Sequence, residues 1–266
     1  MRYALVALVA AWVASGLVVL LLWLVGVHVP SSVAPLIIEV TFLASLVPLY
    51  RSGCLRPVDL GLRRVPAVRS LAYAVLGLLA YGGFALLWTA WVHPPPVRGN
   101  LAGLAHQETI VIVLAGFVAV VGAPVVEEIF FRGFFYRSLR NRLGVASSSV
   151  IAGTLFGLGH TQYPLIVRPE LVFFGVVAAL LYERTGSLVP GIAMHCFVDA
   201  SSFDIALTGK DEVVLSVYIL LAVVLLVRPP VKALGCLVTG KPVFRSGGGM
   251  GSMGESPRAL SGGCRR

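Results

Sequence analysis

Charged residues are scarce in this sequence of 266 residues. Asp, Glu, Lys and Arg together make up 12% of it, whereas about 25% is usual in a soluble domain. Hydrophobic residues make up 58%, against roughly 45–50% in soluble proteins, and the mean hydropathy is +0.91. These values exclude a soluble globular protein, a disordered chain and a coiled coil.

Cysteine is also rare. The four cysteines, Cys54, Cys196, Cys236 and Cys264, have no CxxC spacing. A disulfide framework and a zinc knuckle both depend on closely spaced or numerous cysteines. The sequence therefore supports neither.

Eight apolar runs of helix length predict the fold. A membrane-spanning helix needs about 20 apolar residues to cross a hydrocarbon core of roughly 30 Å. The runs are continuously apolar and do not alternate with period two, which excludes a transmembrane β-barrel. We therefore predict an all-α, polytopic membrane protein, a bundle of about eight transmembrane helices. The predicted spans are residues 4–27, 33–50, 68–92, 109–131, 145–163, 171–183, 187–207 and 212–227.

The basic residues lie between these runs and predict the orientation. With the N terminus in the cytosol, 18 of the 21 Lys and Arg residues fall in cytosolic segments, and Arg98, Arg168 and Lys210 fall outside. An even number of spans then obeys the positive-inside rule at every loop. We predict a multi-pass integral membrane protein with cytosolic N and C termini. The net charge of +9 indicates contact with membrane lipid and not with nucleic acid.

The composition divides the chain into two regions. Residues 1–245 are predicted to form one membrane-embedded helical domain. Residues 246–266 are rich in Gly and Ser and have almost no bulky apolar residues, which predicts a disordered tail.

Ionisable residues within the apolar runs are few, and three helices carry most of them. A charge in hydrocarbon costs from about 2.5 kcal/mol upward, so such residues are candidates for function. Residues at i, i+4 lie on one face of a helix. Three pairs have this spacing: Glu128 with Arg132, Phe156 with His160, and His195 with Asp199.

These pairs supply the groups that hydrolysis needs. Arg132 neutralises Glu128, and Glu127 stays free because it lies about 100° around the helix. A free carboxylate and histidines from two further helices converge only inside a bundle, where they provide a general base, a water-orienting imidazole and an oxyanion donor. Glu127, His160 and His195 are also a ligand set for zinc or another divalent metal. Metal-dependent and metal-free sites both remain open.

The three motifs resemble those of a known family. Glu127-Glu128-x-x-x-Arg132, Phe156-x-x-x-His160 and His195-x-x-x-Asp199, in this order, are similar to the motifs of the CAAX protease and bacteriocin-processing family, which includes the type II CAAX prenyl endopeptidases. The family-like core covers about residues 109–227. The resemblance implies an intramembrane endopeptidase whose polar cavity opens to the cytosol. It also implies cleavage near the C terminus of a prenylated or membrane-associated protein or peptide.

The resemblance also implies roles for the motif residues. Glu127 and His160 would activate water, and His195 and Asp199 would stabilise the oxyanion. Glu128 and Arg132 would orient the site, and Phe156 would line the substrate-binding region. The family's third motif often ends in Asn, but an ionised Asp199 cannot donate to an oxyanion, so we expect it to orient His195 or bind a metal.

Two other functions remain as alternatives. A proton-coupled transporter would use the same acids and histidines as a relay, but such transporters often have repeated halves, which this sequence lacks. A non-catalytic membrane scaffold or immunity protein would keep the fold without the reaction.

Three further features lead to expectations. Glu39 and Asp204 are expected to be hydrogen-bonding or cavity-lining groups of the bundle interior and not chemical groups. Gly153 and Gly157 form a small-xxx-small face that lets the fifth span approach a neighbour closely. Residues 132–143 alternate aromatic and basic residues, which fits an amphipathic helix at the cytosolic interface or a basic loop.

Overall fold

The computed structural model describes residues 2–28, 34–63, 65–95 and 104–208. Within these ranges the chain is helical and contains no strand, which confirms the all-α class. The eighth predicted span, at 212–227, and the predicted tail, at 246–266, lie outside the described residues. The long helices are α1 (Arg2–Leu24), α2 (Ala34–Arg51), α3 (Ala67–Val92), α4 (Thr109–Arg140), α5 (Val145–Gly159), α6 (Arg168–Thr185) and α7 (Val189–Thr208).

Three of these helices have the length and composition of membrane spans: α1 from Tyr3, α3 and α4. Their outer faces carry large apolar side chains. Leu17 and Leu21 of α1, for example, are 52% and 60% exposed. A bilayer would cover such faces, so this part of the fold agrees with the predicted membrane protein.

Helix α4 is longer than the predicted fourth span, which ended at residue 131. It continues to Arg140 and includes two stretches of π-helix, Val118–Gly122 and Glu128–Tyr136. Arg137 and Arg140 lie near its end and are only 5% exposed. The helix predicted for this segment is therefore present as a continuation of α4 as far as Arg140, and the basic loop is wrong over that stretch. Arg137 and Arg140 turn inward to protein carboxylates, contacts that were not predicted.

Glycines bring α5 and α6 into close contact. A Cβ atom on Gly153 would lie 2.8 Å from the Val172 carbonyl oxygen, and one on Gly157 would lie 2.6 Å from the Val172 amide nitrogen. On the other helix, a Cβ atom on Gly175 would lie 2.6 Å from the Gly153 Cα atom. The predicted small-residue face is confirmed, and only glycine fits this contact.

The link between α6 and α7 is held against the loop that precedes α3. Gly186 ends α6 in the left-handed conformation, with φ of 64°, which favours glycine. Beyond it, the Ser187 hydroxyl donates to the Arg63 carbonyl oxygen at 2.6 Å, and the Leu188 amide donates to the Gly61 carbonyl oxygen at 3.0 Å. These bonds fix where α7 begins, and so the position of its polar face.

Cysteine pairing was not predictable from spacing. Cys54 is disulfide-bonded, while Cys196 is a free cysteine within α7. A disulfide requires proximity in space, which distance along the sequence does not report.

Candidate active site

A buried ion pair on α4 lies at the centre of the site. The Arg132 Nη1 atom lies 2.8 Å from the Glu128 Oε1 atom, and the two side chains are 2% and 0% exposed. The Arg132 guanidinium also lies over the Phe156 ring, 4.5 Å from its centre, where a cation is attracted by the ring face. The predicted pairing of Glu128 with Arg132 is thus present in the structure, with Phe156 against it.

His195 joins α7 to this pair and lies among three carboxyl groups. Its Nδ1 atom lies 3.3 Å from Glu128 Oε1. Its Nε2 atom lies 3.6 Å from Glu127 Oε2 and 3.7 Å from Asp199 Oδ2. Glu128 therefore contacts both Arg132 and His195, a double contact that the sequence did not predict.

Gly191 lets α7 approach Glu128. It lies in the first turn of α7, one turn before His195, and is buried. A Cβ atom at this position would lie 2.7 Å from the Glu128 Oε2 atom, closer than real Cβ contacts allow. Sequence reasoning missed this residue, since nothing in one sequence separates it from an ordinary helix glycine.

His160 occupies the end of α5, and its backbone has left the helix. Its Nδ1 atom lies 2.8 Å from the Phe156 carbonyl oxygen. Because a carbonyl can only accept, Nδ1 carries the hydrogen in the neutral ring and Nε2 is left as an acceptor. The predicted span reached residue 163, but the chain turns at His160.

Phe156 lies between the two histidines. Its ring centre is 4.6 Å from that of His160 and 5.8 Å from that of His195. Among the described residues, no hydrogen bond or ion pair joins His160 directly to Glu127, His195 or Asp199. The structure thus brings the first and third motifs into contact and links His160 to them through an aromatic ring.

Arg168 holds the turn that carries His160. Its Nε atom donates to the Tyr163 carbonyl oxygen at 2.9 Å. Its two terminal nitrogens donate to the carbonyl oxygens of Leu158 and Thr161, each at 3.3 Å. The sequence predicted Arg168 only as a basic residue of an outer loop. In the structure, its contacts hold the backbone around His160.

A protein-family match covers all three motifs of the candidate site. Residues 109–201 match the model of a family described as type II CAAX prenyl endopeptidase Rce1-like. This segment, about a third of the chain, is similar to that family. It contains every motif residue, from Glu127 to Asp199, and confirms the resemblance inferred from the three motifs. No curated protein and no solved structure matches the chain.

The Rce1-like match gives the protein its general class. The family is one of endopeptidases, which supports a peptidase, and the apolar helices agree with an integral membrane protein. Helices α1–α3 lie outside the matched segment.

The candidate metal ligands of the Rce1-like segment do not converge. Zinc ligands must surround one point at about 2.0–2.2 Å. Glu127 and His195 lie together, but His160 is turned to the Phe156 carbonyl oxygen through Nδ1. The residues that the structure describes contain no group of three or more His, Cys, Asp or Glu arranged to hold a metal ion. As arranged here, these three side chains therefore do not fit a zinc ion.

Glu39 of α2 is an additional acid at the site. It is 5% exposed, and its carboxyl group lies near the Glu127 carboxyl group. It is the one acidic residue within the first three predicted spans, and this rarity was the feature of the sequence that pointed to a role. We expected a hydrogen-bonding or cavity-lining group of the bundle interior here, and the position near Glu127 was not predicted.

Proposed function

We propose that the protein is an intramembrane endopeptidase that hydrolyses a peptide bond near the C terminus of a lipid-modified or membrane-associated substrate. The site would lie in a polar cavity open to the cytosol, with both termini on that side. The membrane would present the substrate, since a prenyl or other lipid group partitions into it.

One observation supports this proposal most directly. The Glu127 carboxylate has a buried oxygen without a hydrogen-bond partner among the described residues, and it lies beside the His195 imidazole. Glu127 Oε2 is buried and has no hydrogen-bond partner among the described residues. His195 Nε2 is 3.6 Å away, slightly beyond hydrogen-bonding distance. Buried polar atoms are nearly always paired, so an unpaired carboxylate oxygen beside a histidine fits a group that binds water or substrate.

The proposed reaction uses Glu127 as the general base. Glu127 would accept a proton from water while the water oxygen attacks the substrate carbonyl carbon. The neutral His160 would accept a hydrogen bond from the same water through Nε2 and orient it. Collapse of the tetrahedral intermediate breaks the C–N bond, and the proton on Glu127 passes to the leaving amine.

The oxyanion of that intermediate would be stabilised by His195. When protonated, both ring nitrogens donate: Nδ1 to Glu128, and Nε2 to the developing negative charge. Asp199 and Glu128 would hold the ring, and Arg132 would keep Glu128 in place. Phe156, which contacts both imidazoles, would line the substrate-binding region.

A farnesylated CAAX peptide tests this proposal. We expect purified, detergent-solubilised protein to remove the last three residues of the peptide, as detected by mass spectrometry. Glu127→Ala and His160→Ala should abolish cleavage, because each removes a group that activates the water, without lowering the amount of folded protein.

Matched variants separate this effect from a general loss of structure. Glu108 and His106 are exposed residues before α4, so Glu108→Ala and His106→Ala should cleave like the wild type. Loss of folded protein in both site variants would mean that Glu127 and His160 are structural. Absence of product from the folded wild type would reject the CAAX substrate and favour a scaffold or another substrate.

A further inference from the structure

Two side chains complete the end of α5. The last four carbonyl oxygens of an α-helix have no partner inside the helix, and two of those in α5 accept backbone amides of the turn that follows. The other two accept side chains. The Phe156 oxygen accepts His160 Nδ1 at 2.8 Å, and the Leu158 oxygen accepts Arg168 Nη1 at 3.3 Å. His160 and Arg168 are therefore parts of the same helix end.

The Arg168 guanidinium also reaches across the turn that follows α5. Its Nε atom donates to the Tyr163 carbonyl oxygen at 2.9 Å, and its Nη2 atom donates to the Thr161 carbonyl oxygen at 3.3 Å. One rigid, planar group thus bonds the backbone both before and after His160. A lysine could not replace it, because an ammonium group is a single point of charge on a flexible stem.

Arg168 is poorly placed for its own helix and well placed for its neighbour. It is the first residue of α6, where the partial positive charge of the helix end disfavours a cation. The guanidinium instead bonds to the end of α5, where the partial charge is negative. Among the described residues, no carboxylate lies within ion-pair distance of Arg168. The partner of this charge is therefore the turn that carries His160.

Helix α3 holds the start of α6 from the other side. The Trp88 indole Nε1 atom donates to the carbonyl oxygen of Ile166, two residues before Arg168, at 2.9 Å. The Phe84 ring stacks on Phe173 of α6 with centres 4.3 Å apart. Helix α3 lies outside the family match, so the base from which Arg168 reaches His160 is held by a helix that the match does not cover.

We propose that Arg168 is a positioning residue of the active site. Its guanidinium holds the turn so that His160 keeps Nδ1 on the Phe156 carbonyl oxygen and presents Nε2 to the attacking water. The described hydrogen bonds of Arg168 all go to backbone carbonyl groups, so it acts through His160. The effect on turnover rests on the proposed function, whereas the effect on the His160 ring does not.

A lysine at this position separates the shape of the guanidinium from its charge. Arg168→Lys keeps the positive charge but cannot bond three separate carbonyl groups. We expect kcat for the farnesylated peptide to fall roughly tenfold to hundredfold, as for a small misplacement of a catalytic group, with little change in KM. Arg142→Lys, at an exposed residue before α5, is the matched control and should keep the wild-type kcat.

Two results would overturn the proposal. Wild-type kcat in Arg168→Lys would show that charge alone suffices, and a rise in KM with unchanged kcat would assign Arg168 to substrate binding.

Trp88→Phe tests the same positioning with Arg168 left in place. It removes the hydrogen bond to Ile166 and keeps an aromatic ring beside Phe84. We expect a fall in kcat of about twofold to tenfold, the worth of one neutral hydrogen bond. Trp91→Phe is its control, since Trp91 is 77% exposed. If Arg168→Lys does not fold and Trp88→Phe keeps the wild-type kcat, the proposal is overturned.

Nitrogen NMR tests the positioning of His160 without any substrate. In protein with ¹⁵N-labelled histidine at about pH 8, where an ordinary histidine is neutral, the ring signals show which nitrogen carries the hydrogen. The signals missing from His160→Ala identify His160. We expect hydrogen on Nδ1 in the wild type and in Arg142→Lys, and a mixture of the two neutral forms in Arg168→Lys.

The spectra also separate this inference from the proposed function. A His160 ring with the same signals in Arg168→Lys as in the wild type would overturn the positioning role even in an active enzyme. A change of the His160 signals in Arg168→Lys, in a protein whose wild type cleaves nothing, would support the positioning role and refute only the peptidase function.

Discussion

Helix α4 contributes an arginine to each of two buried Glu–Arg pairs, and the surroundings of the two pairs differ. Near its end, Glu183 of α6 receives three hydrogen bonds, from Arg140 Nη2 at 2.9 Å, Arg140 Nε at 3.1 Å and the Tyr136 hydroxyl at 2.9 Å. Earlier in α4, Glu128 Oε1 faces both Arg132 and His195, while Glu128 Oε2 has no hydrogen-bond partner among the described residues. Both pairs are buried, but only the first has both carboxylate oxygens bonded.

This difference is the one we expect between a structural pair and a functional one. Hydrogen bonds to both oxygens of Glu183 tie α4 to α6 and leave neither oxygen unpaired. At the candidate site, Glu127 and Glu128 each keep an unpaired oxygen, an arrangement that costs stability. Proteins retain such costs mainly at sites that bind or react.

The same substitution in each pair provides the strongest test. Glu128→Gln and Glu183→Gln should each destabilise the protein by up to about 3–5 kcal/mol, because each leaves a buried arginine without its counter-charge. Only Glu128→Gln should also lower the turnover of the remaining folded protein, by about a hundredfold or more, because His195 loses the negative charge beside its Nδ1 atom.

The measurement is kcat per folded molecule, with folded protein counted by size-exclusion chromatography and stability taken from thermal unfolding in detergent. Glu183→Gln is the matched control for a buried Glu–Arg pair. Full activity of folded Glu128→Gln would remove this pair from the site, and equal loss in both variants would show that the two clusters act as one.

A methyl group added at Gly191 should destabilise the protein less than Glu128→Gln does. Gly191→Ala places a Cβ atom 2.7 Å from Glu128 Oε2, so either α7 or the carboxylate must move. We expect a stability loss of about 1–3 kcal/mol, as for overpacking elsewhere, and a fall in kcat as His195 shifts from Glu128.

Gly83→Ala is the control for this variant. A Cβ atom on Gly83, in the middle of α3, would meet nothing within 4 Å. Because alanine favours the helix over glycine, this change should stabilise the protein by roughly 0.5–1 kcal/mol. If Gly191→Ala behaves like Gly83→Ala, the close approach of α7 to Glu128 does not matter for activity.

The sequence predicted the helices and the motifs because both are local patterns. Apolar runs predicted seven helices within the described residues. The i, i+4 spacing predicted the Glu128–Arg132 pair and the placement of Phe156 and His160 on one helix face, where their rings are in contact. The same reasoning placed Arg137 and Arg140 at a membrane interface. Their partner carboxylates, Asp59 and Glu183, lie on other elements, and a local pattern cannot indicate such partners.

The parts that were missed depend on the packing of one helix on another. Glu39 lies near Glu127 on a helix whose Phe42 stacks on Phe130. Gly191 lies against Glu128 because α7 begins at a point fixed by the loop before α3. Arg168 holds the turn of His160 through backbone carbonyl groups, which no residue pattern encodes. A single sequence contains these residues but not the contacts that give them a role.

The smallest predicted effect on stability comes from a substitution in the cluster of Glu183, Arg140 and Tyr136. Tyr136→Phe removes one of the three hydrogen bonds to Glu183 and leaves the two from Arg140. The carboxylate stays paired, so the free energy of unfolding should fall by only about 1 kcal/mol. Turnover per folded molecule should not change, because this cluster does not contact the reacting groups. A clear fall in kcat for Tyr136→Phe would mean that the end of α4 transmits its position to Glu128, and the contrast between the two pairs would no longer hold.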